Sequence, residues 1–451
     1  MTPDPSPPYE TLIVGLGKTG LSCARFLARQ GVPVAVTDTR ERPPGLERIV
    51  EEFPNLPLFL GGFDPARFAV ARQLVVSPGV AVREPLIQAA SARGVPVLGD
   101  IELFAREVRA PVAAITGSNG KSTVTSLLGL MARLAGWRTA VGGNLGEPAL
   151  ELIDADCELY VLELSSFQLE TTLSLGANAA AVLNVSPDHM DRYPSLDDYV
   201  AAKARIYRGA EVGVVNRDDP RVRAMSGMAA RDIGFTLGEP EGEDFGVRAQ
   251  RGEAWLCRGE APVFPAAELP VPGRHNLSNA LAALALGHAL GLPTAAMADA
   301  LRQFRGLPHR TQLIAHRAGV RWFNDSKGTN VGACVAALEG LHEPANGARA
   351  VLIAGGDCKG ADFTQLVPVV ERVARAVVLM GRDAPRLAEV LAGRLPLLRA
   401  SSMEQAVQLA ARAARPGDHV LLSPACASFD MFRNFEHRGE TFVAAVEALP
   451  A

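Results

Sequence analysis

The sequence predicts a three-domain α/β protein built on mainly parallel sheets, and three observations carry that expectation. The chain has 451 residues, several times the common domain size, so one core cannot organise all of it. Apolar runs of strand length alternate with amphipathic runs of helical length, which is the order of βαβ units. Glycine-rich turns recur where a run of the first kind passes into one of the second.

Residues 1–99 form the first expected domain. Thr11–Val14 reads as a strand, a glycine turn follows, Leu21–Arg29 is amphipathic, and Val34–Thr37 is the next strand. Leu74–Val76 and Pro96–Leu98 read as later strands of one parallel sheet, giving a Rossmann-like nucleotide domain. Residues 100–306 open with the strand Val112–Ile115, a glycine loop and the helix Val124–Ala135, the order of a P-loop ATPase-like domain. Leu159–Leu162, Ala180–Val185 and Val212–Val215 extend its sheet, the acidic stretch Gly238–Gly246 reads as surface loop, and the helix Asn276–Leu290 closes the unit. In residues 307–451, strands Val320–Phe323, Ala350–Ala354, Ala376–Met380 and His419–Leu422 alternate with helices, giving a C-terminal Rossmann-like domain.

Composition narrows the function. Hydrophobic residues make up 48% and charged residues 21%, enough to fill cores and too apolar for disorder. A net charge of −4, from 45 basic and 49 acidic residues, offers no cationic field, so no nucleic-acid partner is expected. Cys23, Cys157, Cys257, Cys334, Cys358 and Cys426 lack the spacings of a zinc site or a secreted disulfide framework, which fits a reducing cytoplasm. Met1–Pro8 lacks the basic start and apolar run of a signal peptide, and no apolar stretch approaches the roughly 20 residues that span a bilayer. A cytoplasmic monomer that acts on small molecules, away from membranes, is the expectation.

The strongest local signal is the loop Thr116, Gly117, Ser118, Asn119, Gly120, Lys121, Ser122, Thr123. Its backbone N–H groups and helix N-terminus can wrap phosphate oxygens, Lys121 can reach the terminal phosphates, and Ser122 can bind the magnesium they bring. Ile115 stands where the strict pattern has glycine, so the loop is a variant. Glu163 ends a strand where ATPases place an acidic residue facing metal and nucleotide, and His189 follows another strand of the same domain. On the helix opened by Ser195, Lys203 shares a stripe with Tyr199, Ile206 and Tyr207. Two readings stay open for it: a stem on the stripe with the amine in solvent, or a buried functional lysine, carbamylated to support a cationic metal site. The turn from Gly15 to Gly20, with Asp38 ending the next strand, fits NAD or another pyrophosphate-bearing nucleotide near Lys18. Three polar loops after strands, at 325–330, 355–359 and 423–428, make a rim for a small anionic substrate, with Lys327 and Lys359 supplying charge.

Taken in order along the whole chain, these residues resemble the ATP-dependent Mur ligase family, in its D-glutamate-adding branch. The matching stretches include Gly15–Gly20, Ser77-Pro78-Gly79, Thr116–Thr123, Glu163–Gln168, Asp188–Tyr193, Leu307–Arg310, Asp325–Asn330, Gly355–Lys359 and Ser423–Phe435. The resemblance implies an acid–amino-acid ligase of peptidoglycan precursor synthesis, and hence of cell-wall biogenesis and cell division. It would join D-glutamate to UDP-N-acetylmuramoyl-L-alanine through an acyl phosphate and release ADP and phosphate. It further implies that Lys18, Thr19, Asp38, Thr39, Arg40 and Gly79 hold the uridine nucleotide, which decides the first turn against NAD. Gly117, Ser118, Asn119, Gly120, Lys121, Ser122, Thr123, Asn279, Arg310 and Asp325 would hold ATP. Ser122, Glu163, His189 and carbamylated Lys203 would organise two Mg2+ ions. Asn144, Ser165 and Gln168 would meet the muramoyl-alanine portion, while Lys327, Thr329, Lys359, Ser428, Phe429 and Phe435 surround D-glutamate, with Lys327 acting in catalysis. Lys18 and Phe429 depart from the leucines frequent at those positions. A sister ligase with another amino acid or a folate acceptor is the nearest alternative. A dehydrogenase or nucleotide sensor would explain the first turn but not Glu163, His189 and Lys203 together.

Overall fold

The apolar runs become three separate sheets in the computed structural model, which describes residues 9–250, 252–342, 347–358 and 360–449. Lys359 lies outside the described residues. The first sheet is all parallel, in the spatial order Leu58–Leu60, Val34–Asp38, Thr11–Val14, Gln73–Val76, Val97–Leu98. Its strands are apolar on both faces because helices cover both. Ile13, Val36 and Val75 enter one apolar cluster, while Leu12, Val14, Ala35, Leu74 and Val76 enter another. The chain order reverses around Thr11–Val14, so a crevice opens between the loops after Thr11–Val14 and Gln73–Val76.

The central sheet has nine strands. Parallel pairing runs from Thr139–Gly143 through Leu159–Glu163, Val112–Thr116, Ala179–Val182, Val212–Asn216 and Arg231–Phe235 to Phe245–Gln250. Antiparallel Glu253–Arg258 and Ala261–Pro265 complete it. The expected loop Gly238–Gly246 thus ends earlier than the sequence reading has it: Phe245 and Gly246 already belong to a strand. Glycine and acid content suggested a loop, but Phe245, Leu256 and Phe264 point inward at near-zero exposure and join the core, so burial decides the element. The helices Lys121–Leu134 and Arg274–Ala289 cover one face. The other face shares a continuous apolar cluster with the first sheet's helices and with Ile101 and Phe104 of the helix Asp100–Glu107.

The third sheet runs Gln312–Arg317, Val320–Asn324, His419–Leu422, Ala350–Ala354, Ala374–Leu379, Leu397–Arg399, parallel except for its first strand. Three of its four inner strands place the loops 325–330, 423–428 and 355–358 side by side at their C-terminal ends. The helices after the glycine turns begin at Lys18 and Lys121, earlier than apolar periodicity suggests, because their first turns are polar. No described helix is long and apolar enough to cross a membrane.

One buried hydroxyl ties the central strands together. Tyr207 Oη accepts from Val182 N at 3.0 Å and donates to Val214 O at 2.8 Å. Tyr207→Phe leaves both backbone groups unsatisfied in the core, at a cost of about 1–3 kcal/mol. A lowered midpoint in urea unfolding, with the rim loops unaffected in ligand titrations, is the expected result.

Candidate active site

The strand Val112–Thr116 delivers its loop to the C-terminal edge of the central sheet, beside the ends of Leu159–Glu163 and Ala179–Val182. Gly120 sits at φ +84°, and a Cβ there would lie 2.4 Å from Asn279 Oδ1, so the turn accepts only glycine. The loop is pinned from the neighbouring strand: Ser118 N donates to Asn184 O (2.9 Å), Asn119 N to Asn184 Oδ1 (2.8 Å), and Ser118 Oγ to Ser186 O (2.9 Å). No side chain caps the helix that follows, leaving its N-terminal N–H groups for an anion. Lys121 Nζ folds onto Gly117 O (2.9 Å) and Ser118 O (3.1 Å), and Thr123 is buried beneath.

A chain of short hydrogen bonds crosses the site. Ser122 Oγ donates to Glu163 Oε2 at 2.6 Å, Asn144 Nδ2 donates to Glu163 Oε1 at 2.6 Å, and Arg310 Nη2 donates to Ser122 Oγ at 2.6 Å. Burial by itself would raise the Glu163 carboxyl, but Lys121, Ser122, Asn144 and Arg310 outweigh it and hold the group below the usual carboxylate range. Glu163 is therefore a buried, ionised oxygen donor. Among the described residues no three or more His, Cys, Asp or Glu side chains gather as a metal cage. One carboxylate with a serine hydroxyl beside a phosphate cradle suits a hard cation that takes its remaining ligands from phosphate and water.

Lys203 is 1% exposed, so its amine does not reach solvent. Nζ donates to Gly117 O at 2.9 Å and lies 4.5 Å from the Tyr199 ring centre. Burial and then Lys121 push the amine well below its ordinary value, against the weaker pull of Asp188 and Glu163. Carbamylation starts from the neutral amine, the form that this lowering favours. His189 adopts φ +58°, packs edge-on against Phe167 at 4.9 Å between ring centres, and has Nε2 3.8 Å from Asp188 Oδ2.

The third sheet completes the rim. Asp325 is buried and accepts from Ser423 Oγ (2.6 Å) and Thr311 N (3.0 Å), and burial pushes it up to about 6. Lys327 Nζ lies 3.8 Å from the centre of the Phe435 ring. Burial and then Arg310 push its amine down to about 8. A cavity of about 770 Å³ between the central and third sheets is lined by Asn119, Asn279, Arg310, Asp325 and Lys327, a size suited to a nucleotide. Thr329 is half-buried on the same loop, Ser428 is buried, and Phe429 is 69% exposed.

The first sheet carries its own cluster. Leu16 N donates to Asp38 Oδ2 (2.8 Å), while Arg40 engages both Asp38 oxygens at 2.8 and 2.7 Å. Ser77 Oγ donates to Gly15 O at 2.8 Å, closing the crevice floor. Thr19, Thr39 and Gly79 edge this crevice, and Lys18 leans out of it, donating to Gly146 O at 2.8 Å. Ser165 and Gln168 are engaged in a capping box, and Gln168 Nε2 also donates to Asp100 Oδ2 at 2.9 Å.

Several site residues escaped the sequence reading. Asn184 shapes the phosphate loop, yet it lies past the end of its strand with no motif to mark it. Asn330 belongs to the loop 325–330 that the sequence marks, but its link does not show there: Nδ2 donates to Asn119 Oδ1 (3.1 Å) and Asp188 Oδ2 (3.0 Å), joining the third sheet to the glycine loop. Arg438, fully buried, holds Ser326 O (2.8 Å) and Cys426 O (3.1 Å). An arginine inside an otherwise apolar helical stripe was the one available signal.

Comparison with known proteins agrees across the chain. Residues 9–99 match the Mur ligase MurD-like N-terminal domain, 115–287 the Mur ligase middle domain, and 309–426 the Mur ligase glutamate ligase domain. A protein of Nitrosococcus oceani named UDP-N-acetylmuramoylalanine–D-glutamate ligase is 60% identical over 97% of this chain and 96% of its own length. A Pseudomonas putida protein of the same name is 55% identical over 97% of each. Among solved structures, the UDP-N-acetylmuramate–alanine ligase of Thermotoga maritima superposes with a TM-score of 0.62 at 19% identity. It covers 98% of this chain and 99% of its own.

Burial raises Asp100 to about 6 against the lowering bond from Gln168, and leaves Oδ1 without a partner. The folded chain therefore holds a proton that the unfolded chain releases between pH about 4 and 6, so this group's contribution weakens as pH rises through that window. Asp100→Asn is expected to raise the urea midpoint relative to the parent at pH 7 and to lose that advantage at pH 4. A difference that is the same at both values overturns the assignment.

Proposed function

The chain belongs to the Mur ligase family, and we propose that it joins D-glutamate to UDP-N-acetylmuramoyl-L-alanine with hydrolysis of ATP to ADP and phosphate, a step of peptidoglycan precursor synthesis. The observation that carries this reading is the hydrogen-bonded chain from Arg310 through Ser122 to Glu163 and Asn144, which gathers three loops around one phosphate cradle. The relatives named for this activity, matched over nearly their whole length, support the substrate pair.

A carboxylate does not acylate an amine in neutral water because oxide is too poor a leaving group. The muramoyl-alanine carboxylate must first take the γ-phosphoryl of ATP, and the resulting acyl phosphate then has phosphate to expel. In this proposal the loop 117–120 and the helix N-terminus bind the phosphates, and Lys121 turns from its loop carbonyls toward the transferring group. Asn279, Arg310 and Asp325 hold the rest of the nucleotide. Ser122 and Glu163 fit one Mg2+; His189 and Lys203 fit a second once Lys203 is carbamylated, because a free ammonium repels a cation. Bound magnesium would neutralise charge on the phosphoryl oxygens. Asn144 orients the Glu163 carboxylate. Lys327 neutralises the oxyanion formed as the D-glutamate amine attacks, while Thr329, Lys359, Ser428 and Phe435 seat the amino acid. Asp38, Arg40, Thr19, Thr39, Gly79 and Lys18 hold the uridine end.

We assign the three domains to residues 1–99, 100–306 and 307–451, closing around Gly99 and Gly306, and take the active species to be a cytoplasmic monomer. The three reactants lie on different sheets, so closure precedes chemistry.

The direct test is ADP release with ATP, magnesium and UDP-N-acetylmuramoyl-L-alanine, comparing D-glutamate, L-glutamate and no amino acid. Turnover only with D-glutamate is expected; equal turnover with another acceptor would overturn the substrate assignment. Glu163→Gln, which keeps shape and loses charge, should lower kcat by about 100-fold or more with little change in the unfolding midpoint. Lys327 keeps its charge below pH about 8 and loses it above. The alkaline limb of kcat/KM should therefore fall through pH 8, and Lys327→Arg should move that limb upward, whatever its absolute rate. Carbamylation predicts a carbamate signal in carbon NMR after labelled bicarbonate, absent in Lys203→Met.

A further inference from the structure

Two of the six cysteines face each other on the rim of the third sheet. Cys358 Sγ lies 2.8 Å from Cys426 Sγ, and both side chains are buried. Backbone register sets this pair. Asp357 N donates to Ala427 O (3.0 Å) and Ala427 N to Asp357 O (2.9 Å), an antiparallel bridge between the loops after Ala350–Ala354 and His419–Leu422. One position along, Cys358 and Cys426 oppose each other as a non-hydrogen-bonded pair. Such pairs hold their Cα atoms about 4.5 Å apart, within the span of about 4.4–6.8 Å that a disulfide bridges. Each backbone is anchored separately: Cys358 N donates to Asp383 Oδ2 at 2.7 Å, and Arg438 Nη1 donates to Cys426 O at 3.1 Å.

We propose that Cys358 and Cys426 form a redox-modification site, a dithiol that hydrogen peroxide or a small-molecule disulfide converts to an intrachain disulfide across these two loops. With peroxide, one thiolate attacks an oxygen and the O–O bond breaks, giving a sulfenic acid and a hydroxide that takes a proton to become water. The second sulfur then attacks the sulfenic sulfur, the S–O bond breaks, and a second water leaves. Two thiols and one peroxide thus become one disulfide and two waters, the thiols being oxidised and the peroxide reduced. With a small disulfide, exchange releases two small thiols instead.

The neighbouring Cys426 thiol and burial both push the Cys358 thiol up. Oxidation is therefore slow, and no stabilised thiolate drives reduction of the bridge once made. The bridged loops carry Lys359, Ser428 and Phe429, so, resting on the ligase reading above, the disulfide acts on the amino-acid subsite. A displacement of order 1 Å in positioning groups costs up to about 100-fold in rate.

The experiment uses the full-length reduced protein, treated with hydrogen peroxide or oxidised glutathione and digested without reductant. Peptide mapping by mass spectrometry is expected to find the Cys358 and Cys426 peptides linked and two hydrogens lighter than their sum. D-glutamate-dependent ADP release should fall about tenfold or more, the KM for D-glutamate should rise while that for ATP holds, and a dithiol reductant should restore both. Cys358→Ser should keep turnover and lose the sensitivity. Unlinked Cys358 and Cys426 after the more accessible Cys157 has been consumed would overturn the proposal, as would a linked protein with unchanged kinetics. If the reduced protein shows no D-glutamate-dependent turnover, the ligase reading fails, and the peptide map alone then decides the disulfide.

Discussion

The site depends on keeping one carboxylate ionised inside the protein. Glu163 ends a fully buried strand, where a lone charge would be neutralised by proton uptake. Ser122, Asn144, Lys121 and Arg310 prevent that, and they come from three places: Lys121 and Ser122 from the helix after the glycine loop, Asn144 from the turn beyond Thr139–Gly143, and Arg310 from the segment entering the third sheet. Satisfying this one group therefore fixes the relative placement of several loops. The same arrangement concentrates cationic and neutral donors around the phosphate cradle, which is the electrostatic condition phosphoryl transfer requires.

Among the described residues, four of the five non-glycine residues at positive φ lie at the same edge, the fifth, Ala318, turning the hairpin before Val320–Asn324. His189, His309, Thr311 and Ala425 all adopt left-handed conformations that non-glycine residues rarely take. Each is held by neighbours: His189 N donates to Asp188 Oδ1 and Arg192 N to His189 O, both at 2.9 Å. Thr311 N is held by Asp325, Lys327 N donates to His309 O, and Ala425 N donates to Gly328 O. The loops are thus pre-shaped before any ligand arrives, and less ordering is left for binding to supply.

Contacts between sheets are of two kinds. The first and central sheets share an apolar cluster through Ile101 and Phe104, a continuous packed joint. The third sheet's unit meets the central one where the helix Val331–Gly340 packs on Arg274–Ala289 and through polar atoms, Asn330 with Asn119 and Asp188, and Arg310 with Ser122, around the cavity of about 770 Å³. A polar, cavity-bearing joint opens at lower cost than an apolar one.

The sequence by itself determined the α/β class, the glycine loop between the strand Val112–Thr116 and the helix that begins at Lys121, and the strand-end positions of Glu163, Asp325 and Lys327, because strand periodicity, glycine turns and polar strand ends are local properties. It did not reveal the strands from Phe245 onward that extend the central sheet, where inward-facing aromatics overrode an acidic, glycine-rich composition. Nor did it separate the two readings of Lys203, since a lysine on an apolar stripe looks the same whether its amine exits or stays inside. The pairing of Cys358 with Cys426 lay 68 residues apart in the chain and was read as two isolated thiols. Only the tertiary structure decided these, and for one reason: burial, cross-strand register and the charge of neighbours distant in sequence are set when separate sheets pack, and no local pattern encodes them.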